Sequence, residues 1–178
     1  MKYFAYGDKM FAPHLHSIAA EAVYLCAAKV MGYKLFFHSR GIEDFSGKCN
    51  IVPVKDPGSE VYGVLYDIPF DQRPFLDKAE GLGYASQETI LRVFSVEQDV
   101  TTGERLEPVF AFSYVAHQDN IFEDLVPFTW YKAMIISGAR AHGLPASYIQ
   151  ALEKFSAVQD SNLQRESKQK RYLELAQI

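Results

Sequence analysis

The chain has 178 residues, 48% hydrophobic, 14% aromatic and 22% charged, a size and mixture that suit one globular domain with disorder confined to its ends. Lys and Arg number 18 against 22 acidic residues, a net charge of −4, so no overall positive field draws in a phosphate backbone and nucleic-acid binding is not expected. No window approaches the ~18 uninterrupted apolar residues of a membrane span. Gly7, Asp8 and Lys9 break the N-terminal stretch before the apolar core of a secretion signal could form, which leaves the cytoplasm as the expected compartment.

The first predicted strand covers residues 2 to 6 (KYFAY) and runs into Gly7, followed at once by the opposite charges Asp8 and Lys9. His14 and His16 form an H-x-H pair in a loop-like region, but two ligands without nearby partners make no metal site, and they read as surface or turn histidines. Further strands are predicted at 22 to 28, 33 to 38, 49 to 54 and 61 to 67, all rich in β-branched and aromatic residues. Asp56-Pro57-Gly58 between the last two suits a type II turn, with glycine taking positive φ. Cys26 and Cys49 lack C-x-x-C spacing and are too few for a disulfide framework, so both are expected to be reduced core residues.

Residues 71 to 80 then read as a helix, with Pro74 in its first turn and Gly81 as its C-terminal cap. Strands follow at 88 to 96 and 109 to 116, with Thr102-Gly103 at the tip between them. A second helix from Thr129 to His142 carries a mostly small inner stripe of Trp130, Ala133, Met134, Ser137, Gly138 and Ala141, which favours close packing. His142 in its last turn would complement the helix dipole as a partly protonated imidazole. Residues 146 to 157 form another helix with Tyr148, Ile149, Leu152 and Phe155 on one side, and 158 to 178 form a polar helix or tail. There Arg165, Lys168, Lys170 and Arg171 alternate with Glu166 and Glu174 as a solvated face. The elements add up to one α+β domain over residues 1 to 178, a small mixed, largely antiparallel β-barrel or curved sheet flanked by helices.

The common catalytic signatures are missing: no phosphate-binding G-x-x-x-x-G-K-[ST], no H-E-x-x-H and no G-x-S-x-G. Gly81-x-Gly83 follows a helix and meets Ser86 where a dinucleotide fingerprint needs glycine, so it is set aside. Glu80 stands out. It ends a helix between Ala79 and Gly81, where both the helix dipole and partial burial disfavour the ionised carboxylate and should raise its pKa, tuning it for proton transfer near neutral pH. The same position also suits a solvated residue at a helix terminus.

Four blocks, YFAYGDKM, GKCNIVPVKDPGSEVYGVLYDI, FLDKAEGLGY and WYKAMIISGARAHGLPASYI, resemble in that order the γ-glutamylcyclotransferase (AIG2-like) family, over roughly residues 3 to 150. The resemblance implies a small mixed barrel with peripheral helices and the release of 5-oxoproline from a small-molecule γ-glutamyl substrate, whose own α-amine attacks its γ-carbonyl. Such a reaction needs neither metal nor cofactor. Glu80 matches the family's catalytic glutamate. Tyr3, Phe4, Ala5, Tyr6, Gly7 and Asp8 match its substrate loop, which Lys9 extends, and Tyr131 matches a tyrosine that reaches the glutamyl group. Tyr131 equally reads as a core aromatic at a helix start.

Where the family commonly has Y-G-S-N, this chain has Tyr6-Gly7-Asp8-Lys9. Lys9 could hold a substrate carboxylate, Asp8 could hold the substrate's ammonium or repel the charge of Glu80, or the two could simply pair. A binding module without turnover and a γ-glutamyl amide hydrolase or transferase are the alternatives to a cyclotransferase. The leaving group would be read by loops such as residues 39 to 48. The assembly is a monomer or a homodimer, the latter through exposed apolar strand residues.

Overall fold

The computed structural model describes residues 1–96 and 107–175; the predicted Thr102-Gly103 tip lies outside them. Five strands, β1 (Lys2–Ala5), β2 (Val23–Met31), β5 (Glu60–Asp67), β6 (Ser86–Ser95) and β7 (Val109–Ala116), close into a barrel in the order β1-β5-β2-β6-β7. All its pairings are antiparallel except the closing one, where Tyr3 of β1 meets Phe112 of β7 in parallel. The expected mixed, largely antiparallel barrel is what forms. Two further strands, β3 (Tyr33–Arg40) and β4 (Gly47–Pro53), leave it and pair with each other.

Alternation along the strands divides the apolar residues between two cores. Phe4, Val30, Leu65, Leu91 and Ala111, one or more from each barrel strand, pack together. Tyr3, Ala5, Val64, Tyr66, Phe112 and Tyr114 point the other way, into a second core shared with the helices. With both faces of β1 buried, its sequence reads as continuously apolar.

The helices are α1 (Ala12–His16), α2 (Arg73–Glu80), α3 (Thr129–Ala141), α4 (Ala146–Glu153) and α5 (Leu163–Leu175). Helix α1 corrects the loop expected around His14 and His16: Pro13 sits in its first turn, and Leu15 is fully buried as its anchor. Before it, Asp8–Met10 form a 3₁₀ turn. The Asp56-Pro57-Gly58 turn is not type II, because Gly58 lacks positive φ. Instead the Asp56 carboxylate accepts from the Gly58 N–H and the Ser59 hydroxyl, which holds the turn in another form.

Helix α2 ends as expected, with Gly81 in the left-handed region (φ 66, ψ 40). Its rotation is fixed by Arg73, whose guanidinium lies 3.9 Å from the Phe112 ring centre and pairs with Asp77 and Glu88, while the Tyr114 hydroxyl donates to Asp77. One turn beyond Asp77, Glu80 is thereby aimed.

The buried face of α3 is Trp130, Tyr131, Met134, Ile135, Gly138 and Ala139. It is rotated from the expected stripe, since the larger Tyr131 and Ile135 take the interior and Ala141 is exposed. The close packing expected at Gly138 is real: a Cβ there would stand 2.5 Å from the carbonyl carbon of Met10, so the 3₁₀ turn lies directly on α3. His142 just beyond α3 is half-buried, with Nε2 3.0 Å from the Met10 carbonyl oxygen, to which it donates. Burial pushes its pKa down against that bond's opposing pull, which works against the partly protonated, dipole-complementing imidazole expected.

Helix α4 stops short of residue 157, and Phe155 beyond it packs edge-on against Phe37 at 4.9 Å. In α5 the exposed Lys168, Lys170 and Arg171 make the solvated face expected of the polar C-terminal segment, but the opposite face buries Glu166 and Leu173. Arg165 and the Trp130 indole N–H both donate to the buried Asp160, which ties this segment to α3.

Candidate active site

A cavity of about 700 Å³ opens where the end of β1, the C-terminus of α2, the inner face of α3 and the β3–β4 connection meet. Tyr3, Tyr6, Gly7, Asp8, Lys9, Glu80 and Tyr131 all line it. Phe4 and Ala5 do not: alternation turns them into the two cores, where both are fully or almost fully buried. Most of the connection at 39 to 48 forms part of the wall, as do Gln169 of α5 and the free thiol Cys49, which is half-buried and packs against both cores.

Gly7 has negative φ, so its role is room and not an unusual conformation. A Cβ would stand 3.3 Å from the Cβ of Cys49 and 3.5 Å from the Tyr131 hydroxyl. Because β1 ends at Ala5 and the 3₁₀ turn begins at Asp8, the first N–H groups of that turn have no intrahelical acceptor.

Lys9 answers the question of the charge pair. Its side chain is 10% exposed, and its ammonium lies 3.2 Å from Asp8 Oδ2 and 3.1 Å from Glu80 Oε1. His14, read from sequence as a surface residue, puts Nε2 3.1 Å from Asp8 Oδ2. The result is a line of groups, His14, Asp8, Lys9 and Glu80, drawn from two helices and the turn between β1 and α1. Burial alone would push the Asp8 carboxyl up, but the Lys9 ammonium, then His14 and Lys48, outweigh it and hold it well below the usual carboxylate range. Burial would likewise lower Lys9, yet Asp8 and Glu80 hold it above the ordinary lysine value.

A stability dependence follows. Since the folded value of Asp8 lies below the unfolded one, the unfolded chain binds this proton more readily, and the stabilisation present above about pH 4 drains away as pH falls. Melting temperatures between about pH 2 and 7 are expected to fall less steeply for Asp8→Asn than for the parent. Parallel curves would refute the assignment.

Lys48 of β4 is a second cation at the wall. Its ammonium pairs with Asp44 at 2.6 Å and stands 4.4 Å from the Tyr131 ring centre, and burial pushes its pKa down. Tyr131 is both a core aromatic, 4% exposed, and a cavity residue: its hydroxyl accepts the Cys49 N–H at 3.2 Å. Burial, with Asp8 adding to it, raises this phenol well above its usual range, so it stays a hydroxyl. Tyr131→Phe removes that acceptor and is expected to cost about 1 kcal/mol, read as a lowered melting temperature. An unchanged melt would show the bond to be worthless.

Sequence reasoning missed His14, Lys48 and the Lys9–Glu80 contact. Only the odd Asp8-Lys9 pair hinted at them. Among the described residues no three His, Cys, Asp or Glu side chains gather as a metal site, and no helix is long and apolar enough to cross a membrane.

Comparison with known proteins agrees with this architecture. A model of the AIG2-like family matches residues 60–152, just over half of the chain. The γ-glutamylcyclotransferase of Homo sapiens is 29% identical over 153 residues, covering 85% of this chain and 76% of that protein. That of Mus musculus is 30% identical over 158 residues, with the same shares covered. A solved γ-glutamyl cyclotransferase superposes with a TM-score of 0.76 at 24% identity, over 94% of this chain and 98% of its own. A yeast γ-glutamyl cyclotransferase specific to glutathione shares the fold at a TM-score of 0.56 and 16% identity, over 85% of this chain and 93% of its own. With half the chain matched by the family model and relatives aligned along most of its length, the chain belongs to the AIG2-like family and is an enzyme of the γ-glutamylcyclotransferase type.

Proposed function

We propose that the protein cyclises a γ-glutamyl amino acid or amine to 5-oxoproline and releases the attached amine, with Glu80 carrying the proton. The observation that supports this reading best is the convergence of the Glu80 carboxylate, the Gly7–Asp8 bend and the Tyr131 hydroxyl on one cavity, although they lie far apart in the sequence. About 700 Å³ falls within the usual range for small-molecule sites, ~300 to 1,000 Å³.

In this mechanism the neutral α-amine of the substrate attacks its own γ-carbonyl carbon. A nitrogen–carbon bond forms, closing a five-membered lactam, and the bond from that carbon to the leaving nitrogen breaks. The attacking nitrogen gives one proton to Glu80, and Glu80 returns it to the leaving nitrogen, so atoms and charge balance. The nucleophile belongs to the substrate, and holding it bent against its carbonyl supplies much of the rate, since effective molarities reach ~10⁵ to 10⁸ M in well-oriented intramolecular reactions. Backbone N–H groups at the start of the 3₁₀ turn are the natural donors to the developing oxyanion.

The test is to incubate the protein with γ-glutamyl amino acids and γ-glutamyl amines and to assay the products. Release of 5-oxoproline is expected. Release of free glutamate in its place would make the enzyme a hydrolase.

A further inference from the structure

We infer that Asp8 and Lys9 act as one positioning device for Glu80: Lys9 holds the proton-carrying carboxylate in place through an ion pair, and Asp8 is the standby counter-ion that keeps Lys9 paired when Glu80 takes up its proton. The inference rests on the role of Glu80 proposed above.

The geometry leaves Lys9 little freedom for anything else. Its ammonium lies within 3.3 Å of both Asp8 oxygens and 3.1 Å from Glu80 Oε1, and its side chain is 10% exposed. A substrate carboxylate could reach it only by displacing one of these partners and stranding that carboxylate in a partly dry wall. Lys9 is therefore no substrate anchor. One oxygen of Glu80 is taken by the ammonium, which leaves the other for the substrate nitrogens. Asp8 is also committed, to Lys9 on one side and His14 on the other.

The charge balance then explains why the two residues occur together. In the resting site Asp8 and Glu80 share one ammonium. When Glu80 is protonated by the attacking amine, a lysine without a second partner would be left as a buried, unpaired cation, at a cost that would oppose the transfer. With Asp8 in place the ammonium stays paired in both states, and the proton moves against a smaller penalty. Either residue alone would unbalance the site in opposite senses. Lysine alone would be left without a carboxylate partner on proton transfer, and aspartate alone would set a second carboxylate near Glu80 with no cation between them.

The other titratable groups facing the cluster leave this balance in charge. Tyr3, Tyr6, Tyr114, Tyr131 and Cys49 are all pushed up by burial and stay neutral. Lys48 keeps its own partner, Asp44. His14 faces Asp8, so its contribution is isolated by repeating the comparison in a His14→Gln background.

The experiment measures 5-oxoproline release against pH for the parent, Lys9→Met, Asp8→Asn and the double variant. Lys9→Met is expected to lower kcat by about 10²-fold, with KM changing less than about threefold, and to move the acid limb of the rate profile up by about one pH unit. Asp8→Asn is expected to move that limb down. The double variant, with neutral side chains at both positions, returns it toward the parent, and Lys9→Arg keeps the parent's limb. Melting curves taken alongside identify any variant that has lost its fold, and the oppositely shifted limbs are read from the others. Single variants that shift the same way, or not at all, in an active parent overturn this inference alone. A parent that releases no 5-oxoproline overturns the proposed function instead.

Discussion

Glu80→Gln is expected to reduce 5-oxoproline release by about 10²- to 10⁴-fold, the usual range for loss of general acid–base transfer. The amide matches the carboxylate in shape, and its carbonyl oxygen can still accept the Lys9 ammonium at the position of Oε1, so the wall of the cavity should be preserved. What it cannot do is take a proton from the attacking amine and give it back. Any residual rate measures what bending the substrate accomplishes unaided. KM should move little, because an interaction used in proton transfer and not in ground-state binding affects kcat. The fold should survive, since the buried Lys9 ammonium keeps Asp8 as its partner and the glutamine oxygen still accepts from it. Full turnover by this variant would falsify the mechanism.

The largest expected effect on stability comes from Gly138, where two forces oppose each other. A glycine inside a helix costs roughly 1 kcal/mol relative to alanine, so propensity alone predicts that Gly138→Ala stabilises. Contact geometry reverses the sign. The added Cβ would stand 2.5 Å from the Met10 carbonyl carbon and 2.6 Å from the Phe11 nitrogen, backbone atoms that cannot swing aside as a side chain can. Overpacking of this kind costs about 1 to 3 kcal/mol, which at roughly 2 to 4 °C per kcal/mol for a chain of this size is a visible fall in melting temperature. Gly138→Val should be worse. Because Met10 closes the turn that carries Asp8 and Lys9, the alanine variant should also lose activity below its melting temperature, as the turn is pushed away from α3. A raised melting temperature would show that the turn yields freely.

Seven strands and the helices α2, α3 and α4 were legible in the sequence because their causes are local: alternating or continuous apolar runs, a proline in a first turn, a glycine after a last one. The short helix α1 was not, since five residues give too little periodicity and the anchor is one leucine, Leu15, whose burial depends on what packs over it. The face of α3 was read about one residue out of phase. Small residues marked where another segment comes close, but the competition between Ile135 and Ala141 for the interior is settled by the shape of the core. His142 fared similarly. Its place at a helix end was plain, whereas the Met10 carbonyl that accepts its hydrogen bond comes from the far end of the chain.

By itself the sequence determined the strand and helix inventory, the Gly81 cap that places Glu80 at a helix end, and the glycine bend after β1, all consequences of interactions within a few residues. Only the tertiary structure decided that Lys9 lies between Asp8 and Glu80, that His14 joins them, and that Phe4 and Ala5 turn away from the cavity. The physical reason is that ion pairing and burial depend on separation in space, and the residues brought together here are joined by a barrel whose closure no short stretch of the chain encodes.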